Sequence, residues 1–285
     1  VWQLVDKYNP RQDKTVIEPS SGIGRFAEGR SEKFTMFELE KDSAEAIMNL
    51  WFDRIVTNCI NLKTHQFKKN IKQIVSEFDS LPIQEDIAKP KIGIVGEILV
   101  KYHPNANNNL VELIEEEGGE AVVPSLIDFF EYGMYNKRFN YKWLSGKKND
   151  MLINNTALSI IEHYRNMIRD VLRSSKRFIP DSHIEETAEN ASKIISIGNQ
   201  CGEGWLLTGE MVDLINEGVK NILCLQPFAC LPNHVVGKGM IKAMRNYDKD
   251  ANIVAIDYDP GASNVNQLNR IKMMMSTAFK NLEKN

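Results

Sequence analysis

Asn221-Ile-Leu-Cys-Leu-Gln-Pro-Phe-Ala-Cys-Leu-Pro-Asn-His234 is the stretch that decides the fold. Ile222 to Leu225 is an apolar run too short for a helix, and turn formers follow it. That is the pattern of a strand covered on both faces, as in parallel sheets. Gln226 to His234 then reads as a loop stiffened by Pro227 and Pro232. Val235 to Tyr247 reads as a helix, and Asn252-Ile-Val-Ala-Ile256 as the next strand. A last helix carries Val265, Leu268, Ile271, Met275, Ala278 and Leu282 at three- and four-residue steps. Upstream, Lys193-Ile-Ile-Ser-Ile197 reads as a strand, 198–204 as its loop and Trp205 to Asn216 as a helix closed by Gly218. Strands alternating with helices predict a doubly wound parallel sheet.

Further outward the same rhythm recurs. Lys91-Ile-Gly-Ile-Val-Gly96 and Glu120-Ala-Val-Val-Pro124 read as parallel strands, with a helix from about Asn108 to Glu117 between them. Residues 125–180 read as mainly helical. Ile47, Trp51 and Ile55, then Ile71, Ile74 and Phe78, recur at helical spacing before Leu81-Pro82. Residues 1–35 have no lasting period. The expected fold class is therefore α/β: two Rossmann-like, doubly wound domains over 86–185 and 186–285, behind a helical N-terminal segment over 1–85. The first residues, Val1-Trp-Gln-Leu4, contain no Met, and the chain reads as cut from something longer.

Composition narrows the function classes. The 285 residues are 42% hydrophobic and 26% charged, with a net charge of -3. This balance suits a globular core and lacks the basic excess of a broad nucleic-acid surface. No apolar run reaches the length of a membrane span. Four cysteines without a CxxC pair point to a reducing, cytoplasmic setting. The histidines at 65, 103, 163, 183 and 234 have no zinc spacing.

Ligands of open α/β sheets bind beyond the carboxyl ends of the strands. That rule selects the loops 97–107, 198–204, 226–234 and 257–263. Cys230 stands before the helix expected from Val235, where unpaired N–H groups favour the thiolate that ligates iron or attacks electrophiles. A free cysteine more often packs as an inert core residue, and both readings stand at this point. Cys201 sits among three glycines, of which Gly202 and Gly204 would let backbone approach a ligand closely. The third glycine of G-x-G-x-x-G is absent. Lys101 would meet an anionic group and His103 would exchange a proton, unless Asn105, Asn107 and Asn108 simply cap the next helix. Cys224 and Cys59 read as core. Arg25 would serve an anion-binding turn at 19–26, or that turn is an ordinary linker.

Three strings together carry a resemblance. They are Gly96-Glu-Ile-Leu-Val-Lys-Tyr-His-Pro-Asn-Ala-Asn-Asn-Asn109, Gly202-Glu-Gly-Trp-Leu-Leu-Thr-Gly-Glu210 and Gln226-Pro-Phe-Ala-Cys-Leu-Pro-Asn-His-Val-Val-Gly-Lys-Gly239. They resemble the C-terminal part of large CoA-substrate-specific enzyme activases, in which an ATP-dependent activator of 2-hydroxyacyl-CoA dehydratase is fused to dehydratase-like regions. Such subunits, like benzoyl-CoA reductases, pair α/β domains around an iron–sulfur cluster. The resemblance runs from about residue 90 to the C-terminus. It implies that Cys230 takes the place of the last cluster-ligating cysteine, with Cys201 assisting. A cluster normally needs three or four thiolates, and this stretch offers those two. The implied activity is iron–sulfur-dependent transfer of a low-potential electron to an acyl-CoA thioester, with the chain inactive alone. The alternative is a docking domain of the activase that binds no metal. Expected partners are an acyl-CoA or a dehydratase subunit, an ATP-dependent activator domain and a second copy of the chain. Nucleic acid and membrane are not expected.

Overall fold

Ile222 to Gln226 are fully buried, and the strand they form is the axis of the molecule. The computed structural model describes residues 37–61, 64–84, 88–259, 261 and 263–283. The turn around Arg25 and the side chain of Cys59 lie outside them.

In chain order the helices and strands are α1 (Ser43–Ile60), α2 (Phe67–Ser80), β1 (Lys91–Gly96), α3 (Ile98–Tyr102), α4 (Pro104–Asn107), α5 (Leu110–Glu116), β2 (Glu120–Val122), α6 (Ile127–Trp143), α7 (Lys148–Leu172), α8 (Ile184–Ser192), α9 (Gly204–Asn216), β3 (Asn221–Pro227), α10 (Leu231–Val236), α11 (Ile241–Tyr247), β4 (Asn252–Tyr258) and α12 (Asn264–Leu282). The four strands form one parallel sheet in the order β2-β1-β3-β4. Helices α5 and α12 cover one face through Leu110, Ile114, Ile271 and Met275. Helices α9 and α11 cover the other through Leu207, Met211 and Met244, which pack with Val95, Ile222 and Cys224. A strand sandwiched this way is apolar on both faces, which is why the runs at 92–95 and 222–225 show no alternation.

The α/β class and the parallel sheet are as expected, but the described strands join in one sheet rather than two. β1 pairs with β3 from Ile92↔Asn221 to Gly96↔Leu225, so the sheet crosses the expected boundary at 185/186. Lys193 to Ile197 is not a strand. It is a turn after α8, and Ile194, Ile195 and Ile197 serve as part-buried plugs for two cores, one between helices and sheet and one among helices. Helix α8 is clamped to α9 because Asp213 accepts bonds from Thr187 Oγ1 and Asn190 Nδ2, both at 2.6 Å. A helical hairpin therefore stands where a strand–helix unit was expected.

Helices α1 and α2 pack on each other and on the carboxyl half of α7 through Trp51, Ile55, Ile71, Ile74, Phe78 and Ile168. Helices α6, α7, α8 and α9 share a core around Trp205 and Leu158. Among the described residues no helix is long and apolar enough to cross a membrane.

Candidate functional site

β1 connects outward to β2, and the chain then returns to place β3 on the other side of β1. The carboxyl ends of β1 and β3 therefore flank a topological switch point, the place where open α/β sheets leave a crevice. Gly96 ends β1 with φ +140° and lies so close to β3 that a Cβ there would sit 1.9 Å from the Leu225 carbonyl oxygen. Only glycine permits that approach. The next residue, Glu97, donates its N–H to Leu225 C=O at 3.0 Å.

The side chains of Glu203 and Asn233 enter this crevice from α9 and α10. The Ile98 N–H donates to Glu203 Oε1 at 3.2 Å. The Asn233 amide is satisfied in one orientation: its nitrogen donates to Glu203 Oε2 at 2.9 Å and its oxygen accepts from the Glu97 N–H at 3.0 Å. Burial pushes the Glu203 carboxyl above the usual range. Deeper in, Lys101 Nζ lies 2.8 and 3.0 Å from the two carboxylate oxygens of Glu210. The lysine side chain is 1% exposed and that of Glu210 7%. Burial raises Glu210 to about 7 against the pull of Lys101. Lys101 was expected to meet an anion, and the anion it meets belongs to its own chain. His103 is exposed and stands apart, between α3 and α4. Of the asparagines foreseen as caps, Asn107 serves: its Oδ1 accepts from the Leu110 N–H at 3.1 Å at the start of α5, while Asn108 Nδ2 donates to Gln267 instead.

The two cysteine loops meet at this edge. Cys201 is exposed and Cys230 half-buried. A Cβ on Gly202 would lie 3.1 Å from Pro232 Cβ, so the 198–204 loop rests on the first turn of α10. Gly202 and Gly204 have φ +59° and +49°. At Gly204 a Cβ would come within 2.3 Å of Asn199 O and of the Tyr132 hydroxyl. Tyr132 O–H donates to Gly202 C=O at 3.1 Å and ties the loop to α6. On the other side, Ala229 holds φ +58°, a conformation that residues other than glycine rarely take. This strained residue lies in the Pro227–Cys230 turn, which is closed by Cys230 N–H to Pro227 C=O at 3.3 Å. The expected helix from Val235 begins at Leu231 and stops at Gly237. Cys230 is thus the N-cap of a six-residue helix, too short to lend the thiol a sizeable dipole. Cys224 is fully buried, and burial pushes its thiol up to about 12, as suits a core residue.

Two features of the site were not legible in the sequence. Gln226 is fully buried at the end of β3 and donates to Asp257 Oδ1 at 2.5 Å, while its Oε1 has no partner. Behind the Cys201 loop lies a charge cluster between α6, α7 and residues 181–183. Arg165 pairs there with Asp128 at 2.7 Å and also with Glu131 and Asp181. Arg169 pairs with Glu162 at 2.6 Å, and His183 Nδ1 lies 2.8 Å from the same carboxylate. Burial pushes the Glu131 carboxyl up to about 8, although Arg165 pulls the other way.

The donor set tests the iron–sulfur expectation. Cys201 and Cys230 stand on touching loops, but among the described residues no group of three or more His, Cys, Asp or Glu is arranged to hold a metal ion. The described residues therefore supply two thiols of the three or four that a cluster needs. Asp257 and Asp259 add no third ligand. Comparison of the chain with protein-family models, with curated proteins and with solved structures finds no match.

Proposed function

We propose that this chain is the cluster-facing α/β unit of a 2-hydroxyacyl-CoA dehydratase-like or activase protein, with Cys201 and Cys230 as two of the thiolate ligands. The single observation that carries the reading is the contact between Gly202 and Pro232, which brings two cysteine loops to the switch-point edge of one sheet. The strained Ala229 beside Cys230 supports it, because backbone strain of this kind gathers at functional sites. The remaining ligands would come from another chain or segment. The paired α/β units of such proteins would then comprise this sheet and one supplied from elsewhere. A bound cluster would supply a single low-potential electron to an acyl-CoA thioester after ATP-dependent activation, in a reducing cytoplasmic setting. The residues of this chain would position and bury: Tyr132 and Pro232 fix the Cys201 loop.

The test is anaerobic reconstitution with iron and sulfide in the presence of its partner protein, followed by electron paramagnetic resonance after reduction. Cys230→Ser is expected to abolish or reshape the signal, and Cys201→Ser to weaken it. An unchanged spectrum in Cys230→Ser, with unchanged iron content, removes Cys230 from the site.

A second reading is a module that docks an activator or partner subunit and binds no metal. The observation favouring it is the way the Lys101–Glu210 pair and the Glu203–Asn233 bonds fill the crevice from within. Calorimetric titration with acyl-CoA separates the two, since a docking module gives no heat.

A further inference from the structure

The α6–α7 hairpin ends in a tip that sets exposed apolar side chains among basic ones. Residues 137–148 hold five basic side chains (Lys137, Arg138, Lys142, Lys147 and Lys148) and no acid, in a protein of net charge -3. Every residue from Tyr141 to Asp150 is exposed. At the apex Trp143 is 65% exposed and Leu144 61%, and Tyr141 beside them is 43% exposed. The first turns of α7 add Leu152 at 48% and Ile153 at 68%. Neighbouring large apolar side chains displayed to water mark an interaction site rather than a folding need.

The tip is built and not frayed. The Asn140 carbonyl accepts N–H bonds from Leu144 at 3.0 Å and Gly146 at 3.1 Å, and Met151 N–H donates to Lys147 C=O at 3.2 Å. Lys142 Nζ lies 4.9 Å over the Trp143 ring, which holds charge and aromatic side by side. Arg138 is anchored to Glu185 at 2.9 Å and to Asn155 at 2.8 Å, leaving the four lysines as the outward charge. Helices of 17 and 25 residues carry this apex, and at about 1.5 Å of rise per residue they can hold it well clear of the sheet.

We propose that this tip is a docking surface for an anionic lipid bilayer. Trp143 and Leu144 enter the headgroup layer, and Lys142, Lys147 and Lys148 lie against the anionic headgroups. An indole ring at the headgroup level, an aliphatic side chain below it and lysines above are the division of labour that a membrane interface selects. No transmembrane span is needed for such a contact, so the absence of one in the sequence is silent about it. Charge decides against a second copy, because a two-fold contact of tip on tip would oppose two sets of like charges. Shape decides against a nucleic acid. A single apex offers no basic track for a phosphate backbone. The inference is independent of the assignment at Cys201 and Cys230.

The experiment is cosedimentation of the 285-residue chain with phosphatidylcholine vesicles, with and without about 30% phosphatidylserine. Binding is expected to the anionic vesicles only. It should fall at least tenfold when salt is raised from about 0.1 M to about 1 M, which shortens the screening length from about 10 Å to about 3 Å. Trp143→Ala/Leu144→Ala and Lys142→Glu/Lys147→Glu/Lys148→Glu are each expected to lose binding while retaining the parent circular dichroism, since the altered side chains are exposed. In a Trp2→Phe background, tryptophan emission should shift to the blue on binding and fail to shift when Trp143→Phe is added, because the remaining Trp51 and Trp205 are already buried. No binding to anionic vesicles, or binding unaltered in both variants, overturns the proposal. Binding to a single-stranded oligonucleotide in place of vesicles, or a dimer that the charge variant dissolves, also overturns it.

Discussion

Lys101 shows how a single residue changes meaning between sequence and structure. A lysine in a loop beyond a strand reads as an anion binder, and it is one, but the anion is Glu210 and both are out of water. Buried pairs of this kind are costly to break on one side and cheap to remove together. Lys101→Met is therefore expected to destabilise the fold by about 3–5 kcal/mol in urea denaturation, whereas Lys101→Met with Glu210→Leu should recover most of the loss. A binding role for Lys101 toward an external anion would instead leave stability unchanged in the single variant. Cys224 was readable as core from its place in an apolar run, because burial of a strand on both faces is a local statement. The settings of Cys201 and Cys230 were not. One is exposed and the other half-buried, and that depends on Pro232 and Tyr132, which approach from other elements.

At the scale of elements, the sheet rests on how closely β1 and β3 run at their carboxyl ends. Gly96→Ala would set a methyl group against the Leu225 carbonyl and demand φ +140° of a residue with a Cβ. A loss of about 3 kcal/mol or more is expected, with faster hydrogen exchange at the end of β3. Unchanged exchange at Leu225 would mean that the close approach is not maintained in solution. Strands β1, β2, β3 and β4 were each legible because an apolar run between turn formers encodes burial and length together. The run at 193–197 misled for the same reason: it encodes burial alone. The Thr187–Asp213 and Asn190–Asp213 bonds, which hold α8 on α9, are made by residues with no signature of their own. Likewise the loop at 97–107 proved to be two short helices, α3 and α4, held by side chains such as Asn107, which donates to the Val100 carbonyl at 2.9 Å.

For the whole molecule, three buried carboxyls set a shared pH dependence. Burial raises Glu131 to about 8, Glu210 to about 7 and Asp213 to about 6. A group whose folded pKa is raised holds its proton more tightly in the folded state. Its contribution is complete below the unfolded pKa and is lost as pH rises through the folded value. Stability is therefore expected to fall between about pH 5 and pH 8, read as a decreasing urea midpoint, and Glu131→Gln should flatten the upper part of that slope. A midpoint that stays flat over this range would show these carboxyls to be ionised throughout. Glu162 and Asp248 are held below the usual range and oppose the trend only in acid. The amino-acid sequence by itself determined the α/β class, four of the five strands expected and the helical N-terminal and central segments. These follow from local periodicity, which records how much of each segment must leave water. Tertiary structure alone decided that the strands make one sheet, that the cysteine loops touch, that a six-charge cluster with His183 lies behind them and that an apolar, basic hairpin tip is left uncovered. Each of those depends on distances between residues far apart in the chain, and no local pattern carries such distances.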